Sequence, residues 1–212
     1  MVKFVNIYVE GAGPKDADTA FRQAFKTFLK EFDVILRERG GTLQTIPCGN
    51  RRETYKQFCN ALKKKQPDTL PLLLVDAEVD VTNLGECWAH LKKRVGDGWD
   101  KPAGAEEWHC HLMAQAMEAW FFADIEAIAK FYNDAKFNRS ALPKRQNVEE
   151  APKSEHLRIL EAATKDTTKK RYHKIQHGPK ILEALDSAKV RSRAPHCERL
   201  FVVLAEKINA ED

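Results

Sequence analysis

A chain of 212 residues is long enough for one domain with a sizeable hydrophobic core, or for a compact core with an appendage. Its 43% hydrophobic and 31% charged residues are ordinary for a globular protein, and no apolar run approaches the ~20 residues that span a bilayer, which excludes a membrane-embedded class. The five cysteines are scattered and form no CxxC pair, which excludes a zinc ribbon and favours a reducing, cytoplasmic location.

The net charge of +4 is small but unevenly distributed. Residues 133–212 carry 17 Lys and Arg residues against 12 Asp and Glu, whereas residues 1–132 are nearly neutral. This distribution is consistent with polyanion binding by the basic C-terminal part and catalysis by the nearly neutral N-terminal part. An ordinary solvated surface explains the same distribution.

The N-terminal part predicts an alternation of strands and helices. Short β-branched, aromatic or apolar runs predict strands at residues 3–9, 42–46 and 70–75. Apolar residues at helical spacing predict helices at residues 17–38 and 51–65 between them. Three strands that alternate with two amphipathic helices predict a parallel, doubly wound sheet, in which ligands bind beyond the carboxyl ends of the strands.

The rest of the chain has a weaker pattern. Residues 81–106 predict a long loop with one short helix, and residues 107–132 a long, mostly buried helix or a broken pair. The more polar remainder predicts short helices at 153–164, 178–186 and 195–209. We therefore expect an α/β core over residues 1–132 and a basic, helical C-terminal extension over residues 133–212 packed on it.

Acidic side chains follow two of the predicted strands. Glu10 comes directly after the first strand, and Asp76, Glu78 and Asp80 follow the third at alternate positions. Carboxylates that converge from neighbouring strands suit Mg²⁺ or Mn²⁺, which prefer hard oxygen ligands. Bound metal can activate a water and neutralise charge during phosphodiester hydrolysis. The alternative is a solvated loop whose acids only cap helices.

A polar stripe crosses the apolar segment 107–132. His111, Gln115 and Glu118 lie at i, i+4 and i+7, which predicts one shared helical face. A buried carboxylate needs a partner, so Glu118 either supports a site or is satisfied inside the core. His111 is a candidate substrate contact on the same face. A zinc site at His109 and His111 lacks further ligands at a useful spacing.

Basic residues interleaved with aromatic and histidine side chains occupy residues 165–180. The candidate substrate contacts in this segment are Lys170, Arg171, Lys174 and His177. Such residues give salt-sensitive affinity for a phosphate backbone, although a solvated loop without a partner has the same composition. Arg51 and Arg52 follow the second strand on the sheet edge that holds the acids, so one of them is a candidate phosphate contact.

Two short motifs resemble the Toprim domain of topoisomerases, primases and nucleases of the overcoming-lysogenization-defect type. They are Val9-Glu10-Gly11 and Val75-Asp76-Ala77-Glu78. A longer resemblance, to a prokaryotic Toprim-like family of unknown function (domain-of-unknown-function family 4276), covers nearly the whole chain. It is carried by IYVEGAG, CGNRRETYKQF, LLLVDAE, HLMAQAMEAWFFAD, SALP and RYHK. The related RloB-type families of phage-defence loci have a similar Glu-x-Trp helix, matched by Glu118 and Trp120.

The resemblance implies a Toprim-like Rossmannoid core with a mostly parallel sheet flanked by helices, plus a helical C-terminal part. It also implies a Mg²⁺- or Mn²⁺-dependent endonuclease acting on DNA or RNA, tRNA included, in anti-phage defence. A partner ATPase of the AAA or ABC type encoded nearby is expected, and a homodimer stays open.

The same resemblance assigns roles to the acids. Glu10 is implied as general base or metal ligand, Asp76 as principal ligand and Glu78 as its assistant, with Asp80 as an alternative third acid. Glu118 is implied as a catalytic support from the facing helix. Glu78 departs from the commoner Asp, and its longer side chain puts a second metal position in doubt. The competing hypotheses are a non-catalytic adaptor that binds an ATPase or nucleic acid, and an enzyme acting on a nucleotide or small phosphoester.

Overall fold

The computed structural model describes residues 1–11 and 15–210 of the chain. They form a mixed α/β fold around a four-stranded, all-parallel sheet with strand order β2-β1-β3-β4. The strands are β1 Phe4–Val9, β2 Thr42–Pro47, β3 Thr69–Asp76 and β4 Cys110–Met113. The α/β class and the parallel sheet are therefore confirmed, and the sheet has a fourth strand that the sequence pattern does not predict.

The burial of the central strand β3 shows that the sheet is covered on both faces. Every residue from Leu72 to Asp76 is buried, as expected for a parallel strand with helices on either side. The register pairs Val9 with Leu74 and Asp76 with Met113, so the carboxyl ends of β1, β3 and β4 meet at one edge of the sheet.

Helices occupy most of the remaining described chain. They are α1 Lys15–Phe28, α2 Lys30–Glu38, α3 Arg51–Lys63, α4 Cys87–Lys93, α5 Glu118–Phe121, α6 Ile125–Tyr132, α7 Lys153–Thr164, α8 Lys174–Ala184, α9 Ser187–Arg193 and α10 Pro195–Asn209. Short 3₁₀ turns lie at Glu107–His109, Arg139–Ala141 and Val148–Glu150. In this described part of the chain, every helix is too short or too polar to cross a bilayer.

Two apolar clusters cover the two faces of the sheet. The larger contains the inward residues of β1 together with α1, α2 and α5 to α10, and its aromatic centre stacks Phe28 on Trp120 with ring centroids 5.5 Å apart. The smaller lies under α3 and α4, where Phe58 and Trp88 pack against Leu73 and Val75. Alternate residues of β3 thus enter opposite clusters, which is the side-chain period of a strand.

The prediction of helix over residues 107–132 is wrong for the first half of that segment. A 3₁₀ turn leads into β4, and only α5 and α6 are helical. His111 therefore lies on a strand, Gln115 in the following turn and Glu118 at the start of α5, so the three do not share a helical face. A short, fully buried apolar run lacks the periodicity that distinguishes a strand from a helix, which is why the pattern misleads here.

Other boundaries differ less. The helix predicted over residues 17–38 is divided at Leu29 into α1 and α2, and α9 follows α8 where no helix is predicted. The C-terminal helices share the larger apolar cluster with the sheet, since α8 packs on α1 and α10 packs on β4 and α2. The division of the chain at residue 132 stays a prediction.

Candidate active site

Four acidic side chains gather where β1 and β3 end. Glu10 follows β1, Asp76 ends β3, Glu78 lies two residues later, and Glu118 begins α5. We call these four residues the acidic centre. Glu10 and Asp76 line a cavity of about 350 Å³ together with Lys153 of α7 and Lys174 of α8, so helices remote in sequence close over the edge of the sheet.

Asp76 is the member of the acidic centre that belongs to the sheet itself, as the last residue of β3. The residue is only 6% exposed, and its Oδ1 accepts a hydrogen bond from the backbone N–H of Met117 at 3.1 Å. Its Oδ2 lies 3.2 Å from Nζ of Lys153 and 3.8 Å from Nζ of Lys174. Burial raises the pKa of Asp76, although the two ammonium groups oppose that shift.

Glu118 is held at the start of α5 by two partners from the C-terminal part of the chain. Its Oε1 lies 3.3 Å from Nζ of Lys174 and accepts a hydrogen bond from the hydroxyl of Tyr172 at 3.3 Å. Burial and the nearby Glu118 carboxylate raise the pKa of Tyr172 well above its ordinary value, so the hydroxyl keeps its proton and donates it to this bond. Lys174 thus bridges Glu118 and Asp76.

Glu10 is anchored by an arginine that also has a second acidic partner. Nη1 of Arg51, the first residue of α3, lies 3.0 Å from Oε2 of Glu10. The other side of the guanidinium forms a bidentate pair with Asp97, whose side chain is 1% exposed. Burial raises the pKa of Glu10, as does the like charge of Asp76, while Arg51 lowers it.

Glu78 lies on the turn that leaves the sheet. Its backbone has a left-handed φ of +71°, and its N–H donates to the carbonyl of Gln115 at 2.8 Å. The Glu78 carboxylate contacts Nζ of Lys153, and its Oε2 lies 3.9 Å from Nη2 of Arg94. Lys153 therefore bridges Asp76 and Glu78, as Lys174 bridges Asp76 and Glu118.

The donor chemistry of the acidic centre fits a hard divalent cation, but its present arrangement pairs the acids with side-chain cations. Carboxylate oxygens are the ligands that Mg²⁺ and Mn²⁺ prefer, and the like charge that raises the pKa of Glu10 is a repulsion that such a cation relieves. Across the described residues, no three His, Cys, Asp or Glu side chains are arranged to hold a metal ion. Metal entry would require Lys153 to release Asp76 and Glu78.

The remaining predicted site residues lie outside the acidic centre. Asp80 lines a separate hollow beside His90, and Arg52 is exposed on a neighbouring depression. His111 is buried on β4, where it contacts the guanidinium of Arg199. Lys170 and Arg171 are exposed before Tyr172, and His177 contacts the hydroxyl of Tyr132. Of the predicted substrate contacts, Lys174 and Arg51 reach the acids directly.

Three residues of the site are missed by sequence reasoning. Lys153 begins α7 after a proline, Tyr172 lies in the basic segment, and Asp97 lies in the loop predicted over residues 81–106. The RYHK stretch contains both Tyr172 and Lys174, so the longer resemblance was a usable signal for this pair. Lys153 and Asp97 have no local signal, because only the tertiary fold brings them to the acids.

The family model of a domain of unknown function, DUF4276, matches residues 9–205, which include the whole acidic centre. No curated protein and no solved structure matches the chain.

Proposed function

The chain belongs to the domain-of-unknown-function family DUF4276, and we propose that it is a Toprim-type, Mg²⁺- or Mn²⁺-dependent endonuclease that hydrolyses phosphodiester bonds in DNA or RNA. One observation carries the proposal. Four carboxylates and two lysine ammonium groups meet at the carboxyl edge of a parallel sheet, beside a cavity of about 350 Å³. That edge is where ligands bind in open α/β sheets.

The acids have separate proposed roles. Asp76, Glu10 and Glu78 would hold the cation, which when bound supplies an activated water and neutralises charge on the phosphate. Arg51 fixes the direction of the Glu10 carboxylate, because the same guanidinium is itself held by Asp97. The alternative role for Glu10 is that of general base in place of a ligand, and its raised pKa favours proton acceptance.

The lysines have the charge that a phosphodiester requires. Lys153 and Lys174 line the cavity, and their side chains are 32% and 54% exposed, so both ammonium groups have access to a ligand. When substrate and cation bind, each lysine would leave its carboxylate partner and contact a phosphate oxygen instead. Glu118 and Tyr172 keep Lys174 directed at the cavity.

A role in anti-phage defence beside an AAA- or ABC-type ATPase is part of the same proposal. Its support is the resemblance of the acidic motifs and of the Glu118-x-Trp120 segment to defence-associated families. In this view the ATPase restrains or delivers a nuclease whose own chain supplies the acids.

A second candidate is a non-catalytic adaptor, and a specific observation favours it. Each carboxylate of the acidic centre already faces a side-chain cation, as in a site that is stable without metal. An adaptor would bind its partner equally well after the acids are neutralised.

The test compares two aspartates that lie four residues apart. Isothermal calorimetry with Mn²⁺ and cleavage of single-stranded RNA, single-stranded DNA and plasmid are measured for wild type, Asp76→Asn and Asp80→Asn. We expect Asp76→Asn to lose metal binding and cleavage and Asp80→Asn to retain both, because Asp80 lines a different hollow. Cleavage at the wild-type rate by Asp76→Asn would refute the proposal, and absence of Mn²⁺ binding in wild type would favour the adaptor.

A further inference from the structure

Charged and apolar residues together line the cavity beside the acidic centre. The lining includes Glu10, Asp76, Lys153 and Lys174 and the apolar residues Phe21, Met113, Met117, Ile175 and Pro179. We call Phe21, Ile175 and Pro179 the apolar wall. At about 350 Å³ the cavity is at the small end of the range for ligand pockets. This combination of charged and apolar lining suits a molecule that has both kinds of group.

Two packed helices build the apolar wall. Phe21 belongs to α1, while Ile175 and Pro179 are one turn apart on α8, which packs against α1. The Phe21 ring is fixed by an edge-to-face contact with Phe25, with centroids 5.0 Å apart. Ile175 is 48% exposed, so its side chain is accessible to a ligand, and it directly follows Lys174.

Part of the cavity lining is bare backbone. Gly11 and Gly49 exchange two backbone hydrogen bonds, of 3.1 and 2.7 Å, and both line the cavity. A Cβ built on Gly11 would lie 3.4 Å from the Phe21 ring. Gly49 has a φ of +81°, which side chains rarely adopt, so glycine at both positions leaves the flat ring and the backbone open to a ligand.

A further carboxylate in the cavity lining narrows the choice of ligand. Asp18 lines the cavity and lies three residues before Phe21 on α1. An acyl chain in this space would bury the Asp18 carboxylate without a donor, which is unfavourable. A nucleobase presents a flat face to the wall and N–H donors to the carboxylate.

We propose that the apolar wall of the cavity binds an unpaired nucleobase while Lys153 and Lys174 bind the attached phosphate. This inference rests on the proposed function and names its substrate class: a single-stranded or extruded nucleotide. In a duplex, the base edge is paired and both base faces are stacked, so neither reaches Asp18 or Phe21 without extrusion.

Binding of nucleoside 5′-monophosphates tests this inference separately from cleavage, because a monophosphate contains no phosphodiester bond. Calorimetric titrations compare a nucleoside 5′-monophosphate, ribose 5-phosphate and inorganic phosphate, each with Mg²⁺ and with EDTA. We expect the nucleotide to bind more tightly than ribose 5-phosphate. Phe21→Ala should weaken nucleotide binding by roughly 5- to 150-fold, the range expected for loss of one base–aromatic contact, and leave phosphate binding unchanged.

Ile175→Ser provides a second variant whose residue is half-exposed and therefore safe for folding, and Leu157→Ser, 50% exposed on α7 and outside the cavity, is its matched control. Selective weakening by Ile175→Ser, with Leu157→Ser behaving as wild type, supports the inference. Equal affinity for nucleotide and ribose 5-phosphate, or binding of none of the three ligands, overturns it. If Asp76→Asn still cleaves but nucleotide selectivity holds, the nuclease proposal fails and the base site stands.

Discussion

Nζ of Lys153 lies 3.2 Å from Oδ2 of Asp76, at the point where the carboxyl ends of the central strands meet. The same ammonium contacts Glu78, so one lysine neutralises two carboxylates that the proposed function assigns to a cation. Lys153 and a divalent cation therefore compete for the same oxygens. This competition gives Lys153 a measurable effect on metal affinity that does not depend on catalysis.

Replacement of this lysine by methionine should tighten metal binding. We expect Lys153→Met to lower the Kd for Mn²⁺ on the order of tenfold, since about 1.4 kcal/mol of competing charge interaction is removed. Cleavage should fall at the same time, because a phosphate contact is lost. Calorimetry measures the first effect, with Lys165→Met, an exposed lysine at the end of α7, as control. An unchanged Mn²⁺ affinity would show that Lys153 does not compete.

The bidentate pair of Arg51 and Asp97 predicts a stability effect. Asp97 is 1% exposed at its side chain and also pairs with Arg94 at 2.9 Å, so Asp97→Ala leaves two partly buried guanidinium groups without this partner. We expect a loss of about 3 kcal/mol in the free energy of unfolding, measured by urea denaturation. The control is Asp100→Ala, which breaks an exposed pair with Lys92 and should lose much less stability, because solvent screens that pair.

The position of the acids is the part of the site that the sequence predicts best. Glu10 and Asp76 follow apolar runs that are typical of buried strands, and parallel strands end at the same edge of a sheet. The observed register of Val9 with Leu74 brings the two residues together as that argument requires. Chain order and strand polarity were sufficient, without any knowledge of side-chain contacts.

The contacts of Lys153 and Tyr172 with the acids were beyond the reach of a local pattern. Lys153 meets Asp76 across 77 residues of chain, and Tyr172 meets Glu118 across 54. Helical periodicity positions a residue relative to its own helix and not relative to a strand that distant. The strand β4 was missed for a different reason: its four residues are all buried, so their burial has no period.

The hydroxyl of Tyr172 is predicted to stabilise the ion pair between Glu118 and Lys174. Tyr172 is 3% exposed, and Tyr172→Phe removes its hydrogen bond to Glu118 without a change in ring packing. We expect a loss of about 1.5 kcal/mol in the free energy of unfolding, as for a hydrogen bond to a charged group. Cleavage should decrease as well, because Glu118 loses a hydrogen bond that helps it to hold the Lys174 ammonium group toward the cavity.

Tyr55→Phe is the matched comparison for this effect. The Tyr55 hydroxyl donates to the backbone carbonyl of Asp100 at 2.7 Å rather than to a carboxylate of the acidic centre. Its loss should change stability by a similar or smaller amount and leave cleavage unaffected. Equal losses of cleavage in the two variants would contradict a specific role for Tyr172.

The raised pKa of Glu10 predicts how stability depends on pH. Its ordinary value is 4.5, and burial followed by the charge of Asp76 raises the pKa in the folded protein. The folded state thus binds this proton more tightly than the unfolded state. The stability contributed by protonated Glu10 is fully present below about pH 4.5 and is lost as the pH rises through the folded-state pKa.

Glu10→Gln removes this dependence. The free energy of unfolding of wild type minus that of Glu10→Gln should therefore fall as the pH rises above about 4.5 and then level off, in urea denaturation at a series of pH values. Glu126→Gln is a control of opposite sign, because the hydrogen bond from Arg139 lowers the pKa of the exposed Glu126. For wild type minus Glu126→Gln, the difference should rise with pH in the interval below about 4.5 and level off above it. If the free energy of unfolding of wild type minus that of Glu10→Gln rises with pH instead, then Arg51, rather than burial, determines the direction of the pKa shift of Glu10.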